Sequence, residues 1–200
     1  SRNTDLKLSD YKDIWTKLAI LSLLVLLIVE WVAKYDTIQR QIALSVTNLF
    51  VIVVFYIVYR KLKNKYQIVL PGFIAWAVAF GVWLDAAGNF AHFYTKYTWY
   101  DDMTHFEASM SIAIPLFYVF YYLSQKGYIK LSLFHIALYT VSLTMLFVSA
   151  YEISEWIGDI LFNTYRVTGR VDTPSDLFYN LLGALVPAIL GVWVGRRKGR

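Results

Sequence analysis

The chain has 200 residues, of which 58% are hydrophobic and only 16% are charged, whereas a soluble domain usually carries roughly 25% charged residues. It contains no cysteine, which excludes disulfide bonds and thiolate metal sites. The formal net charge of +5 arises from short basic flanks of apolar segments, so it does not indicate a nucleic-acid partner.

Apolar runs of about 18 to 20 residues recur along the chain, and each is long enough to cross a lipid bilayer. They predict an all-α polytopic bundle of six transmembrane helices that forms a single integral membrane domain over residues 1–200. The predicted helices cover about residues 15–32, 42–59, 71–92, 102–123, 131–158 and 175–194.

The distribution of lysine and arginine predicts the orientation of this bundle. Five of the nineteen basic residues lie in the loops after the first, third and fifth predicted helices, and the others flank the opposite helix ends. The five are Lys34, Arg40, Lys96, Arg166 and Arg170. Because cytoplasmic loops are enriched in Lys and Arg, both termini are expected in the cytoplasm.

Acidic residues cluster at the helix ends that this orientation places outside. The third predicted helix ends with Asp85, Asn89 and His92, whose spacing of four and three residues puts them on one helix face. The fourth begins with Asp101 and Asp102, four and three residues before His105. Either acid can share a face with the imidazole, and either can instead cap the helix. Glu107 projects away from His105 and is a weaker candidate.

The fifth and sixth predicted helices repeat this pattern. Glu152, Glu155 and Asp159 fall on one stripe of the fifth, and Asp172, Asp176 and Asn180 step by four along the sixth. Two glutamates one turn apart repel each other, so a metal ion, a proton or an arginine is expected beside them.

Four consecutive helices thus bring polar stripes to the same side and depth of the membrane. Carboxylates near lipid are costly unless they are paired, protonated or bound to a cation, so the cluster is a candidate functional site. Carboxylate and imidazole ligands without sulfur suit Zn²⁺, Mn²⁺, Fe²⁺ or Mg²⁺. The predicted ligands of this divalent ion are Asp85, Asp101, Asp102, His105, Glu152, Glu155 and Asp176.

Basic and polar residues beside the cluster are the candidates for substrate binding. Arg166 and Arg170 lie just before Asp172, and they either pair with the acids or recognise an anionic head group such as phosphate. The complete set of predicted substrate-binding residues is Asn89, His92, Arg166, Arg170 and Asn180.

The second half of the chain resembles the VanZ-like and YjdF-like membrane proteins. The matching strings are Asp102-Met-Thr-His105-Phe106, Tyr151-Glu152-Ile-Ser-Glu155-Trp156, Arg170-Val-Asp172-Thr-Pro-Ser-Asp176-Leu and Asn180-Leu-Leu-Gly183-Ala184. The string Asp85-x-x-Gly88-Asn89 is closer to the YjdF-like proteins. The resemblance implies a multi-pass protein of the bacterial or archaeal cell membrane, and it implies no reaction.

Three functions fit these patterns. The first is a metal-dependent hydrolase or phosphotransferase that acts on a lipid head group at the outer face, with Glu155 or His105 as the general base. The second is a cation or proton transporter, because acids within membranes often mark such pathways. The third is a non-catalytic envelope protein whose polar cluster is structural.

Overall fold

The computed structural model describes residues 2–33, 37–163, 166–167 and 171–198, and within these ranges the side chains of all but residues 2–13, 40 and 198. Over these ranges the chain forms helices and no strand. The helices are α1 Arg2–Ala33, α2 Ile38–Tyr66, α3 Gly72–Phe90, α4 Phe93–Lys96, α5 Trp99–Gln125, α6 Leu133–Phe162 and α7 Asp172–Lys198. Six of them are long and apolar enough to cross a membrane, which confirms the predicted all-α class with six spanning helices.

Most helices extend beyond the predicted apolar spans. An apolar run marks only the part of a helix that suits lipid, whereas Lys, Glu and Asp continue the helix into its polar flanks. The exception is α3, which was predicted to reach His92 but ends at Phe90. His92 takes a left-handed conformation with φ of 54°, and its N–H donates to the Asn89 carbonyl at 3.3 Å. The one-turn helix α4 was not predicted.

The chain divides into two compact units, residues 1–92 and 93–200. The prediction of one integral domain over residues 1–200 stays a prediction, and each unit is described by itself. Both present many exposed large apolar side chains, such as Val32, Phe50, Phe134 and Ile189. Such surfaces are expected where helices face lipid.

In unit 1, which holds α1 to α3, helix α1 packs against both α2 and α3. Small residues allow this approach, since Ala19 of α1 and Ala75 and Ala79 of α3 are almost fully buried in the core. A hydrogen bond also joins α3 to α1, because Trp83 Nε1–H donates to Ser22 Oγ at 3.3 Å.

In unit 2, which holds α4 to α7, helix α7 packs against both α5 and α6, and α5 also contacts α6. The closest approach is at Gly183 of α7, where a Cβ atom would overlap the backbone carbonyl of Phe106 in α5. Ala113 of α5 and Ala184 and Ala188 of α7 continue the same buried, small-residue interface. This contact fixes how α7 presents its side chains to the first turns of α5.

The Gly183 contact predicts a selective loss of stability. Gly183→Ala should lower the free energy of unfolding by about 1–3 kcal/mol because the backbone of α5 has to move. Alanine's higher helix propensity, about 1 kcal/mol, acts in the opposite direction. The measurement is detergent unfolding of the purified protein. Gly195→Ala is the matched control, because its Cβ would meet side chains and no backbone: the flexible end of Leu133 at 2.8 Å and the edge of the Tyr121 ring at 3.4 Å. Equal stabilities of the two variants would contradict the inferred close packing.

Candidate metal centre

His105 is the centre of a polar cluster inside unit 2. Asp101 lies four residues earlier on the same face of α5, and its Oδ1 is 3.5 Å from His105 Nε2. Asp176 comes from the second turn of α7, and its Oδ1 is also 3.5 Å from Nε2. Two carboxylates from different helices therefore face one imidazole nitrogen.

The separations of these three groups suit a metal ion better than direct hydrogen bonds. An N–H···O hydrogen bond usually measures about 2.7–3.2 Å between heavy atoms. A tetrahedral zinc site with ligands at about 2.0–2.1 Å has ligand-to-ligand edges of about 3.3–3.4 Å. The ligand atoms of Asp101, His105 and Asp176 all lie within 4.8 Å of one another, so the group can hold a metal ion.

The other ring nitrogen of His105 faces a buried polar layer. Glu152 Oε1 of α6 is 3.5 Å from His105 Nδ1, and the Asn180 amide nitrogen of α7 is 3.3 Å from it. Ser109 Oγ–H of α5 donates to Asn180 Oδ1 at 2.7 Å, which turns the amide nitrogen toward the ring. All three helices of the unit that are long enough to span a membrane thus contribute to the surroundings of this histidine.

Burial differs sharply across the cluster. Glu152 is only 5% exposed, and Asn180 and Ser109 are fully buried. The Asp101 side chain, in contrast, is 42% exposed. The Nδ1 side of the ring is therefore enclosed by protein, while the Nε2 side opens toward the surface through Asp101.

The tautomer of His105 decides what the cluster can do. A neutral imidazole carries its proton on one nitrogen and has a lone pair on the other. With the proton on Nδ1, the ring points that N–H toward Glu152 and leaves Nε2 free to bind a metal. With the proton on Nε2, the ring accepts from Asn180 and points its N–H toward Asp101 and Asp176. The Nδ1–H tautomer would suit a bound metal, and the Nε2–H tautomer suits the cluster without a metal.

Asp102 and Glu155, two of the predicted metal ligands, have other partners. Asp102 Oδ1 accepts a hydrogen bond from Ser175 Oγ at 3.0 Å, which ties the start of α5 to the start of α7. Glu155 Oε1 is 2.6 Å from Arg166 Nη2, in an ion pair that is largely buried. Of the three partners left open for the two glutamates, a metal ion, a proton and an arginine, the structure shows the arginine beside Glu155.

Arg166, which follows α6, has several partners within α6. Its guanidinium donates to the Tyr151 hydroxyl at 3.0 Å and lies over the Tyr151 ring. Asp159 accepts from the backbone N–H groups of Arg166 and Val167, each at 2.8 Å. Asp159 therefore holds the backbone at Arg166 and Val167, and the Arg166 guanidinium neutralises Glu155.

The remaining predicted site residues are placed as follows. Asp85, Asn89 and His92 belong to unit 1, where Asn89 Nδ2 donates to the backbone oxygen and to Oδ1 of Asp85, at 2.9 and 3.2 Å. Asp172 is the first residue of α7 and lies within electrostatic range of Glu152 and Asp176. Arg170 lies outside the described residues.

Sequence reasoning missed Ser109, which orients Asn180. The available signal was its spacing, since Ser109 follows His105 by four residues and shares its helix face. It also missed the buried Glu30 of α1, because a single acid near the end of an apolar run looks like the boundary of a span.

Comparison with known proteins gives a family and no activity. Residues 16–197 match the model of the family described as "Predicted membrane protein (DUF2238)", so the chain belongs to that family. No curated protein and no solved structure matches the chain.

The ion pair between Glu155 and Arg166 predicts a non-additive stability effect. Arg166→Met removes the guanidinium from a largely buried carboxylate and should cost about 3 kcal/mol of unfolding free energy. Arg166→Met combined with Glu155→Gln should recover most of that loss, because no charge is then left in the site. A double-mutant cycle of unfolding free energies measures the coupling. Additive losses would show that the ion pair contributes nothing to stability.

Proposed function

We propose that this multi-pass membrane protein binds one divalent transition metal through Asp101, His105 and Asp176, as the centre of a metal-dependent hydrolase or phosphotransferase acting on a lipid head group. One observation carries the proposal: two carboxylate oxygens from different helices lie 3.5 Å from the same imidazole nitrogen. The separation leaves room for an ion that all three groups face.

The ligand set favours particular metals. One imidazole nitrogen and two carboxylate oxygens suit Zn²⁺, Mn²⁺ or Fe²⁺, and the imidazole makes Mg²⁺ less suitable. Three protein ligands leave a coordination position open for water, as catalytic zinc sites do, whereas structural zinc sites are closed by four. When bound, such an ion activates water for attack on an ester or phosphoester bond. The partly exposed Asp101 lies on the side from which a substrate can enter.

Glu152 has the position of a residue that orients a metal-binding histidine. Histidine ligands usually donate the other ring N–H to a carboxylate or a carbonyl, which fixes the tautomer and the ring plane. Glu152 Oε1 lies 3.5 Å from Nδ1 and accepts no hydrogen bond from the described residues. In this proposal His105 is a ligand, and the general-base role first considered for His105 or Glu155 is not needed.

The substrate class follows from the location of the cluster on its helices. Asp101 lies in the first turn of α5 and Asp176 in the second turn of α7, so the site is near one end of the spanning segments. The lysine and arginine distribution favours placing this end at the outer face of the cell membrane with both termini inside, an orientation that a reporter fused to the C-terminus tests. The resemblance to VanZ-like and YjdF-like envelope proteins supports the same location. A lipid head group is presented at this level of a bilayer.

A non-catalytic state of the same residues is the second candidate. In a metal-free state, a neutral His105 with its proton on Nε2 points that N–H toward Asp101 and Asp176. The buried bond from Ser109 to Asn180 favours this alternative, because it aims an amide donor at an Nδ1 that is free to accept. Metal binding distinguishes the two states.

Metal analysis is therefore the first test. Wild-type protein purified without chelator should carry about one equivalent of Zn, Mn or Fe. His105→Ala and Asp176→Asn should each lose it because each removes one of only three ligands. His135→Ala is the matched control, since that histidine lies at the start of α6 beside Ser132 and away from the cluster. Binding should also weaken at acid pH, where imidazole and carboxylates take up protons.

Wild-type protein without a stoichiometric transition metal, even after incubation with Zn²⁺ or Mn²⁺, would contradict the proposal. So would equal metal content in His105→Ala and His135→Ala. Either result would favour the metal-free state of the cluster.

Turnover of lipids is the second test. Purified protein in mixed lipid vesicles should release a product from a head group, and a chelator should stop this until metal is restored. Glu152→Gln should lower the metal affinity or the turnover by about 10–100-fold, because it removes the negative charge that faces Nδ1 and would hold the ring in its metal-binding tautomer. Activity that is indifferent to both the chelator and Glu152→Gln would contradict the metal-dependent mechanism.

A further inference from the structure

Unit 1 contains a second group of polar side chains in which each of its three helices contributes one oxygen-bearing residue. They are Glu30 of α1, Asn48 of α2 and Asp85 of α3. None of these residues belongs to the cluster around His105, which is formed within unit 2.

Two of these side chains are buried with oxygen atoms that no described residue satisfies. Glu30 is 3% exposed and Asn48 is 1% exposed. Glu30 Oε2 and Asn48 Oδ1 accept no hydrogen bond from any described residue. A buried polar atom in this condition costs about 1–3 kcal/mol, and more if it carries charge, so it indicates a missing positive or donating group.

The three side chains act on one another. Asn48 Nδ2–H of α2 donates to the Leu23 carbonyl of α1 at 3.5 Å, and Leu26, Ile52 and Ala86, neighbours of the three residues along α1, α2 and α3, share one core cluster. The Glu30 carboxylate interacts with both Asn48 and Asp85. Asn89 Nδ2–H donates to Asp85 Oδ1 at 3.2 Å and so limits the orientation of that carboxylate. Two carboxylates that repel each other beside an unsatisfied amide oxygen favour the binding of a cation.

We propose that Glu30, Asn48 and Asp85 bind a hard divalent cation, Mg²⁺ or Ca²⁺, inside unit 1. The ligands are oxygen atoms only, without imidazole or sulfur, and this set favours Mg²⁺ and Ca²⁺ over transition metals. Two carboxylates balance the double charge of such an ion. The ion would satisfy both unpartnered oxygens and would join α1, α2 and α3 at one point.

The test uses full-length protein in which the cluster of unit 2 has been disabled by His105→Ala. After treatment with chelator, this protein is titrated with Ca²⁺ or with Mg²⁺, and bound metal is measured by elemental analysis. We expect one equivalent of one of these ions to bind. Adding Glu30→Gln should weaken this binding by roughly tenfold or more. Adding Glu107→Gln should not, although Glu107 is also partly buried and also has an unsatisfied Oε2, because Ser111 is its partner within α5.

A second measurement covers the case in which Glu30→Gln folds poorly. The cation should raise the melting temperature of the His105→Ala protein because it binds only the folded state. Asp85→Asn and Asn48→Leu should each reduce that increase, whereas Glu107→Gln should keep it. Absence of binding by both ions in the His105→Ala protein would overturn the proposal, and so would unchanged binding in Glu30→Gln. A transition-metal site in unit 2 is unaffected by either outcome, because it is measured separately in protein with His105 intact.

Discussion

A carboxylate within a membrane-spanning helix needs a compensating partner, and this requirement governs how most of the acids in this chain are arranged. Several different partners appear. Arg166 compensates Glu155, two backbone N–H groups compensate Asp159, and the Ser175 hydroxyl compensates Asp102. Asp101, Glu152 and Asp176 share only one imidazole among three carboxylates. Around His105 the carboxylates therefore outnumber the imidazole, and a cation bound there would offset their mutual repulsion.

The same requirement explains the position of Arg166 beside Glu155. Glu152 and Glu155 lie one turn apart on α6 and would otherwise repel each other across the site. Because Arg166 folds back onto Glu155, only Glu152 remains to face His105. Glu155 therefore binds Arg166, and Glu152 faces the imidazole of His105.

Much of the arrangement of side chains around His105 was predictable from helical periodicity. The spacing of four between Asp101 and His105, and again between Asp176 and Asn180, places each pair on one face, and the structure joins the two faces around one ring. The spanning helices themselves followed from hydropathy. Periodicity could not decide which partner each acid has. Glu155 shares the stripe of Glu152, yet its carboxylate pairs with Arg166, which lies beyond the end of α6.

Close helix packing is the second constraint, and it sets the precision of the cluster. Gly183 lies three residues beyond Asn180 and seven beyond Asp176, on the same side of α7. Because it lacks a side chain, α7 can touch the α5 backbone at Phe106, next to His105. A separation of 3.5 Å between the Asp176 carboxylate and the His105 imidazole on different helices tolerates little displacement, since a shift of about 1 Å would either bring the two groups into direct contact or separate them. Gly183 therefore shapes this cluster as much as its charged side chains do, because it sets the distance at which α5 and α7 bring their charges together.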